Sequence, residues 1–474
     1  MRASIPFTGP SYEARSTYVD AQRALNCFVE LNQGRAPVAL YGTPGLRKVA
    51  TVGTSGCRGM IANDGLAWVV FGNTVYRIDS SYTVTTTGTI GTSSGVVGIS
   101  SSGTQLLIVD GAAGYIVTTA TNVLTTIVDV DFPKGVTKAD YSDGYFIVTG
   151  DGTQQFYVSS LLDGATWDGT EFASAEGSPD DTIGLIVDHR EIWLFGSNSA
   201  EIWVNTAQAQ FPFERSGNTF IEHGCIAAST IAKLDNTVFW LGGDDRGYGV
   251  VWRAAGYIPT RVSNHAIEHA IATYSTATDA IAFTYNQEGH AFYVLTFPTA
   301  QKTWVFDVAT DIWHERAYRN PNTTALSQWR PSAHCMLNGK HLVGDWEDGR
   351  LYILDLDYYY DDTTPILRLR STQTQEQLLT RLFYNWLQVD MQTGVGLVTG
   401  QGSDPQMMMR YSNDGGQSWS DYRNGTIGAI GDYGARCKFN RLGAGRNRVW
   451  EISMTDPVAF TVVGAVVDAE AGVS

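Results

Sequence analysis

One unit recurs along this chain: an apolar strand, a turn of Gly, Asn or Asp, and a second strand that carries an aromatic residue. The copies are "LAWVVFGNTVYRID" (66–79), "QLLIVDGAAGYIV" (105–117), "GYFIVTGDGTQQFYV" (144–158), "EIWLFGSNSAEIWV" (191–204), "TVFWLGGDDRGYGVVWR" (237–253), "HAFYVLTFPTAQKTWVFD" (290–307) and "KHLVGDWEDGRLYILD" (340–355). Anchored on the first-strand residues Trp68, Leu107, Phe146, Trp193, Phe239, Phe292 and Leu342, the intervals are 39, 39, 47, 46, 53 and 50 residues. A hairpin that returns every ~40–50 residues has the period of a β-propeller, with about four strands per blade. Burial explains the architecture: one small sheet cannot cover both its faces, whereas a ring of sheets packs face to face and leaves only short edges. The competing reading is a run of unrelated hairpins in β-sandwiches, which would have no reason to keep an interval. Seven hairpins predict six or seven blades over residues 51–365, the smaller number applying if one hairpin is half of a shared blade.

The flanks lack this period. Residues 1–50 are irregular, with "GTPGL" (42–46) as a turn, and read as an N-terminal arm. Residues 366–384 read as a short helix or a strand connector. From Trp386 onward strands resume in "QMMMRYS", "ARCKFNRL", "RVWEISMT" and "AFTVVGAVVDAE". Residues 366–474 are therefore expected to form a separate antiparallel β domain, sandwich-like, and the whole chain is expected to be all-β.

Charge and thiols narrow the function. The 474 residues carry a formal net charge of −16, and an acidic surface repels phosphate backbones, which argues against sequence-specific DNA binding. Five scattered cysteines without a Cys-x-x-Cys pair are expected to be free thiols made in a reducing compartment. The opening "MRASIPFTGPSYEAR" has no apolar core of signal-peptide length, and no apolar run predicts a membrane-spanning helix.

Several motifs suggest chemistry and each has a plainer reading. "SNDGGQSW" (412–419) fits the Asp-box hairpin of sialidases, with Ser412, Asp414, Gly416 and Trp419 as its defining residues. Asp414 is expected to accept hydrogen bonds from turn amides, Gly416 to take positive φ and Trp419 to pack beneath the turn. None of these is a nucleophile, so the box is expected to build a hairpin. Glycoside hydrolysis would instead need a carboxylate pair, or a Tyr/Glu pair with an arginine cluster. "GTSSG" (91–95) offers Ser93 in a Gly-x-Ser-x-Gly pattern, but a nucleophile elbow needs a strand before it and a helix after it, and neither is expected. "NHAIEHA" (264–270) spaces His265 and His269 four apart around Glu268; without a third ligand this predicts a surface helical turn rather than a metal site. "DLDYYYDD" (355–362) lacks EF-hand spacing and reads as a solvated acidic loop. "GTPGLRK" (42–48) lacks the P-loop order and reads as a turn. No catalytic, cofactor-binding or metal-binding residue is assigned, and no enzyme activity is expected.

Longer stretches carry a resemblance. "FASAEGSPDDTIGLIVDHREIWLFGSNSAEIW" (172–203), the run from Cys225 to Ile271, "TWVFDVATDIWHER" (303–316), and the run from Tyr411 to Glu470 together resemble the packaged-DNA stabilisation proteins of short-tailed bacteriophages (podoviruses). So does the opening "LNCFVELNQG…LYGTPGLRKV" (25–49). The resemblance covers nearly the full length. It implies a structural tail protein, the nozzle or hub, a head-completion factor added after the genome is packaged. Such a protein forms a ring, a hexamer in related nozzles, below the adaptor ring under the portal. It retains packaged DNA and forms the channel for its ejection, and it has no catalytic residues. Tail needle, tail fibres or tailspikes are further implied partners. An acidic channel suits double-stranded DNA that must slide through without sequence-specific hold. The missing signal peptide and free thiols agree with assembly in host bacterial cytoplasm and a place in the virion tail. The alternative is a glycan-binding or glycan-degrading propeller protein of the tail, motivated by the Asp-box and by aromatic residues in the C-terminal domain.

Overall fold

The computed structural model describes residues 2–31, 37–150, 152–175, 177–208, 211–244 and 247–472. Six blades are each built from four consecutive antiparallel strands: five are separate four-stranded sheets, within residues 57–89, 98–126, 139–174, 182–221 and 232–261, and the sixth, within 281–319, begins a larger sheet. A seventh blade is composite. Its strands Pro331–Leu337, Lys340–Asp345 and Arg350–Asp355 are completed at the outer edge by Gly45–Thr51 from the opposite end of the chain. The inner strand Pro331–Leu337 lies against Cys57–Asn63 of the first blade, where the Ser332 hydroxyl donates to the Cys57 carbonyl at 2.9 Å, and the ring is closed.

The repeat in the sequence is the middle of each blade. Trp68, Leu107, Phe146, Trp193, Phe239, Phe292 and Leu342 all fall in the second strand of a blade and all are buried. Among the described residues, seven hydrophobic clusters each bridge one pair of neighbouring blades. Aromatic rings meet across these seams, Phe195 with Trp240 at 5.1 Å and Phe239 with Tyr293 at 5.4 Å between centroids. Each such side chain contributes about 1.5–3 kcal/mol by leaving water, so a blade without its neighbours loses most of its core.

The second body is a β-sandwich. One sheet runs Cys437–Asn440, Leu382–Met391, Thr461–Ala471, Val38–Gly42, Cys27–Leu31, with Arg2–Ile5 also paired to Thr461–Ala471. The facing sheet holds Arg368–Ser371, Asn447–Met454, Gln406–Ser412 and Arg423–Thr426. Alternation decides the packing: Met407 and Met409, with Trp450, Ile452 and Met454, turn inward against Leu387, Val389, Val462, Ala465 and Val467. The described residues among 1–50, expected as an arm, thus supply strands to both bodies. Within 366–384 the described elements are strands, Arg368–Ser371, Gln375–Glu376 and the start of Leu382–Met391, with no helix.

The two bodies share a sheet. The outer strand of the sixth blade, Ile312–Arg319, meets Ala24–Leu25 through a parallel bridge at Glu315 and Leu25. Leu25 pairs in turn with Leu369 of Arg368–Ser371, which carries the sheet into the sandwich. All five cysteines are buried and free. Burial pushes Cys225 up to about 11 and the other four thiols up to about 12, so none is a ready nucleophile. Among the described residues no helix is long and apolar enough to cross a membrane.

Candidate functional site

The Asp-box joins Gln406–Ser412 to Arg423–Thr426. The Ser412 hydroxyl donates to Asp414 Oδ1 at 2.6 Å and accepts from the Gly416 amide at 2.8 Å. Asp414 Oδ1 also accepts from the Ser418 amide at 2.9 Å, and Oδ2 accepts from the Ser418 hydroxyl. These bonds, that from Ser412 foremost, hold the Asp414 carboxyl down at about 2. Trp419 flanks Arg410, whose guanidinium lies 4.6 Å from the Trp419 ring and 4.8 Å from the Tyr422 ring while pairing with Glu451.

The box also grips the chain opening. Gly415 has φ 73°, and a Cβ there would lie 2.6 Å from Tyr18 Cα, so the turn can touch the Tyr18 backbone only as glycine. Beside it, Asn413 Oδ1 accepts from Arg448 Nε at 3.0 Å and Nη2 at 2.9 Å. Arg448 is fully buried, 4.0 Å from each of the Tyr384 and Tyr411 rings, and donates to the Leu442 carbonyl at 2.7 Å. Replacing Asp414 by Ala is expected to cost about 0.5–2 kcal/mol, the range for losing a side-chain cap, and to make the 413–422 loop the first site of limited proteolysis. The depressed folded value means this contribution is present above the unfolded carboxyl range and lost as pH falls through about 2.

A second constellation joins propeller to sandwich. Glu315, 1% exposed, pairs with Arg23 at 2.8 Å and Lys302 at 2.9 Å. Burial would raise its carboxyl, but the two cations outweigh burial and hold it below the ordinary range. Asn26 donates from Nδ2 to the Ala317 and Leu367 carbonyls and accepts at Oδ1 from the Ala317 amide, each at 2.9 Å. Arg370 spreads its fork over the Phe7 and Pro10 carbonyls and Gln22 Oε1 at 2.8–2.9 Å. Residues 7–26 are therefore held from both bodies at once.

The remaining motifs lie apart from these contacts. Ser93 is exposed in a loop that Arg58 staples through the Thr92, Ser94 and Gly95 carbonyls. His265 and His269 lie on the helix His265–Ala272, capped by Asn264, whose side chain accepts from the Ile267 amide; Glu268 pairs with Arg261. The acidic stretch 355–362 is less solvated than expected. Asp355 pairs with Arg47 and Asp362 with Arg350, while Asp361 is buried and pushed up to about 7, burial outweighing the pull of Arg368. "GTPGLRK" runs from a turn into the strand that closes the seventh blade. Among the described residues no group of three or more His, Cys, Asp or Glu is arranged to hold a metal.

Sequence reasoning missed the buried arginines Arg316, Arg368, Arg370 and Arg448. Alternating "LRLRS" looks like a strand with a wet cationic face. The only available signal was that its acceptors are main-chain carbonyls and aromatic rings, which sequence does not pair with it.

A closed propeller whose outer strand passes into a β-sandwich defines a two-body all-β protein. The chain belongs to the bacteriophage P22 Gp10 family of phage stabilisation proteins: the model for that family's β-propeller matches residues 3–359 and the model for its β-sandwich matches residues 370–470. It is a phage structural protein of the virion tail. No curated protein matches the chain. Among solved structures it is similar to a chain of the mitotic checkpoint complex, with TM-score 0.44, 11% identity and coverage of 69% of this chain and 96% of that one. The N-terminal domain of Nup159 gives 0.40, 9%, 69% and 97%. PorZ of the Porphyromonas gingivalis type-IX secretion system gives 0.39, 10%, 73% and 44%. Likenesses this distant have no bearing on function.

Proposed function

We propose that this protein is the tail nozzle of a short-tailed phage: a ring, six copies around, seated below the portal and adaptor, that retains packaged DNA and forms the channel for its ejection. The match of both bodies to the Gp10 family carries this reading. The net charge of −16 supports it, because an acidic wall repels phosphate and lets double-stranded DNA slide, whereas a basic wall would hold it by counterion release. A closing ring needs two different surfaces per copy, and propeller rims offer loop-rich ones. The partners are the adaptor ring and, on the outside, needle, fibres or tailspikes, with assembly in the host cytoplasm. In this reading the Asp-box residues Ser412, Asp414, Gly416 and Trp419 hold a hairpin and do no chemistry.

The test is the mass of the purified chain by light scattering, alone and with portal–adaptor complex. Six copies joining the complex are expected. A chain that ignores the complex would overturn the proposal and turn attention to host polysaccharides as ligands.

A further inference from the structure

Inner strands of all seven blades wall a central cavity of about 370 Å³, within the lower part of the range of about 300–1,000 Å³ for small-molecule sites. Arg58, Lys138 and Lys233 line it, and Asp140 is its one carboxylate. His334 also lines it, but burial and the neighbouring His341 push that imidazole down to about 3, so it is neutral.

The cationic groups differ in what they have left to give. All five N–H donors of Arg58 are spent, on the Gly95, Gly72, Thr92 and Ser94 carbonyls and the Thr92 hydroxyl. Among the described residues Lys138 donates only to the Ile231 carbonyl at 3.3 Å, and Lys233 only to the Val187 carbonyl at 2.8 Å. Neither lysine forms an ion pair among the described residues. Asp140 offsets part of the Lys138 charge without an ion pair to it, its Oδ1 accepting from the Tyr141 amide and its Oδ2 from the Val187 amide, both at 2.8 Å. Two ammonium groups therefore keep four N–H donors among them, in a chamber partly walled by Ile186 and Phe283. Burial lowers Lys138 from its ordinary range, with Asp140 pulling the other way, as expected of a cation short of counter-charge. Ser229 lies on the same wall.

We propose that the centre of the propeller is a binding site for a small phosphate-class oxyanion, held between Lys138 and Lys233. A divalent tetrahedral anion matches two ammonium charges and offers acceptors in several directions, which a single carboxylate does not. Lys138 is half-buried and Lys233 exposed, and charge-assisted bonds to ammonium groups are stronger than neutral ones. The site is independent of the tail reading, since it needs only one closed propeller.

The test uses the full chain in isothermal titration calorimetry with inorganic phosphate, with a nucleoside monophosphate, and with acetate. Saturable binding of one equivalent of phosphate is expected, weakened at least about tenfold by Lys138→Met or Lys233→Met, each removing one charge-assisted contact. The half-exposed Lys48→Met serves as the control and is expected to bind as the parent does. If only the nucleoside monophosphate binds, the anion is part of a nucleotide and the same lysines must matter. Should a lysine variant fail to fold, protection of Lys138 and Lys233 from amine acylation by phosphate, read by mass spectrometry on the parent chain, replaces it. No saturable binding of either phosphate source, or binding and protection that do not involve these two lysines, would overturn the proposal.

Discussion

A chain that begins at residue 52 is expected to lose its cooperative fold altogether. That cut removes Gly45–Thr51, the outer strand of the seventh blade, and also Cys27–Leu31, Val38–Gly42 and Arg2–Ile5 from one sheet of the sandwich. A domain is stable by only about 5–15 kcal/mol in total, and each deleted strand takes buried apolar residues with it, among them Leu46, Leu40, Val29 and Ile5. The expected readout is a broad, featureless thermal transition and weak near-ultraviolet dichroism; a sharp transition with native dichroism would refute it. A single substitution probes the same closure. A Cβ on Gly45 would lie 1.9 Å from the Tyr358 carbonyl oxygen and 2.7 Å from its carbon. Those atoms are backbone and cannot swing aside, so Gly45→Val is expected to cost about 3 kcal/mol, the upper part of the overpacking range.

The second large effect is expected at Glu315. Its removal as Glu315→Ala strands Arg23 and Lys302 beside a buried gap, and breaking a buried pair costs about 3–5 kcal/mol. Arg23 is 24% and Lys302 39% exposed, so both cations regain some water and the lower end of that range applies. Glu315→Gln retains the shape and is expected to lose less. The pH dependence follows from the depressed folded carboxyl. The stabilisation is complete above the unfolded value near 4.5 and disappears as pH falls through the lower folded value. Urea titrations of parent and Glu315→Ala should therefore differ most at pH 6–7 and converge in acid. Glu13, which burial raises and Arg23 pulls back, is also raised by Glu315, so its carboxyl shifts downward in Glu315→Ala and adds to the difference between the two titrations. A gap that stays constant from pH 7 to pH 3 would show that the residue acts by shape alone.

The propeller was legible because its signal is periodic and apolar. Trp68, Leu107, Phe146, Trp193, Phe239, Phe292 and Leu342 mark the second strand of each blade, and burial forces that choice at every copy. The composite seventh blade was foreshadowed only as a shared hairpin, because nothing local in "GLRKVAT" says that its partner is Arg350–Asp355, some three hundred residues away. The Asp-box turn was readable from Ser412 and Asp414, whose bonds are local. Its docking on Tyr18 was not, since that contact depends on where residues 17–21 return. The buried arginines and the cavity lysines escaped for the same reason: a cation is assigned to solvent unless its acceptors are known.

The topology has a consequence for biosynthesis. Val38–Gly42 and Arg2–Ile5 both pair with Thr461–Ala471, so strands made first wait for the strand made last. At about 5–20 residues per second, that wait on the ribosome is roughly 20–90 seconds. Through it the early segment holds Phe28, Val29 and Leu40 without their partners, and the emerging blades remain an open arc. Chaperone occupancy in that interval, rather than the strength of any finished contact, would then set how much of this protein an infected cell delivers intact.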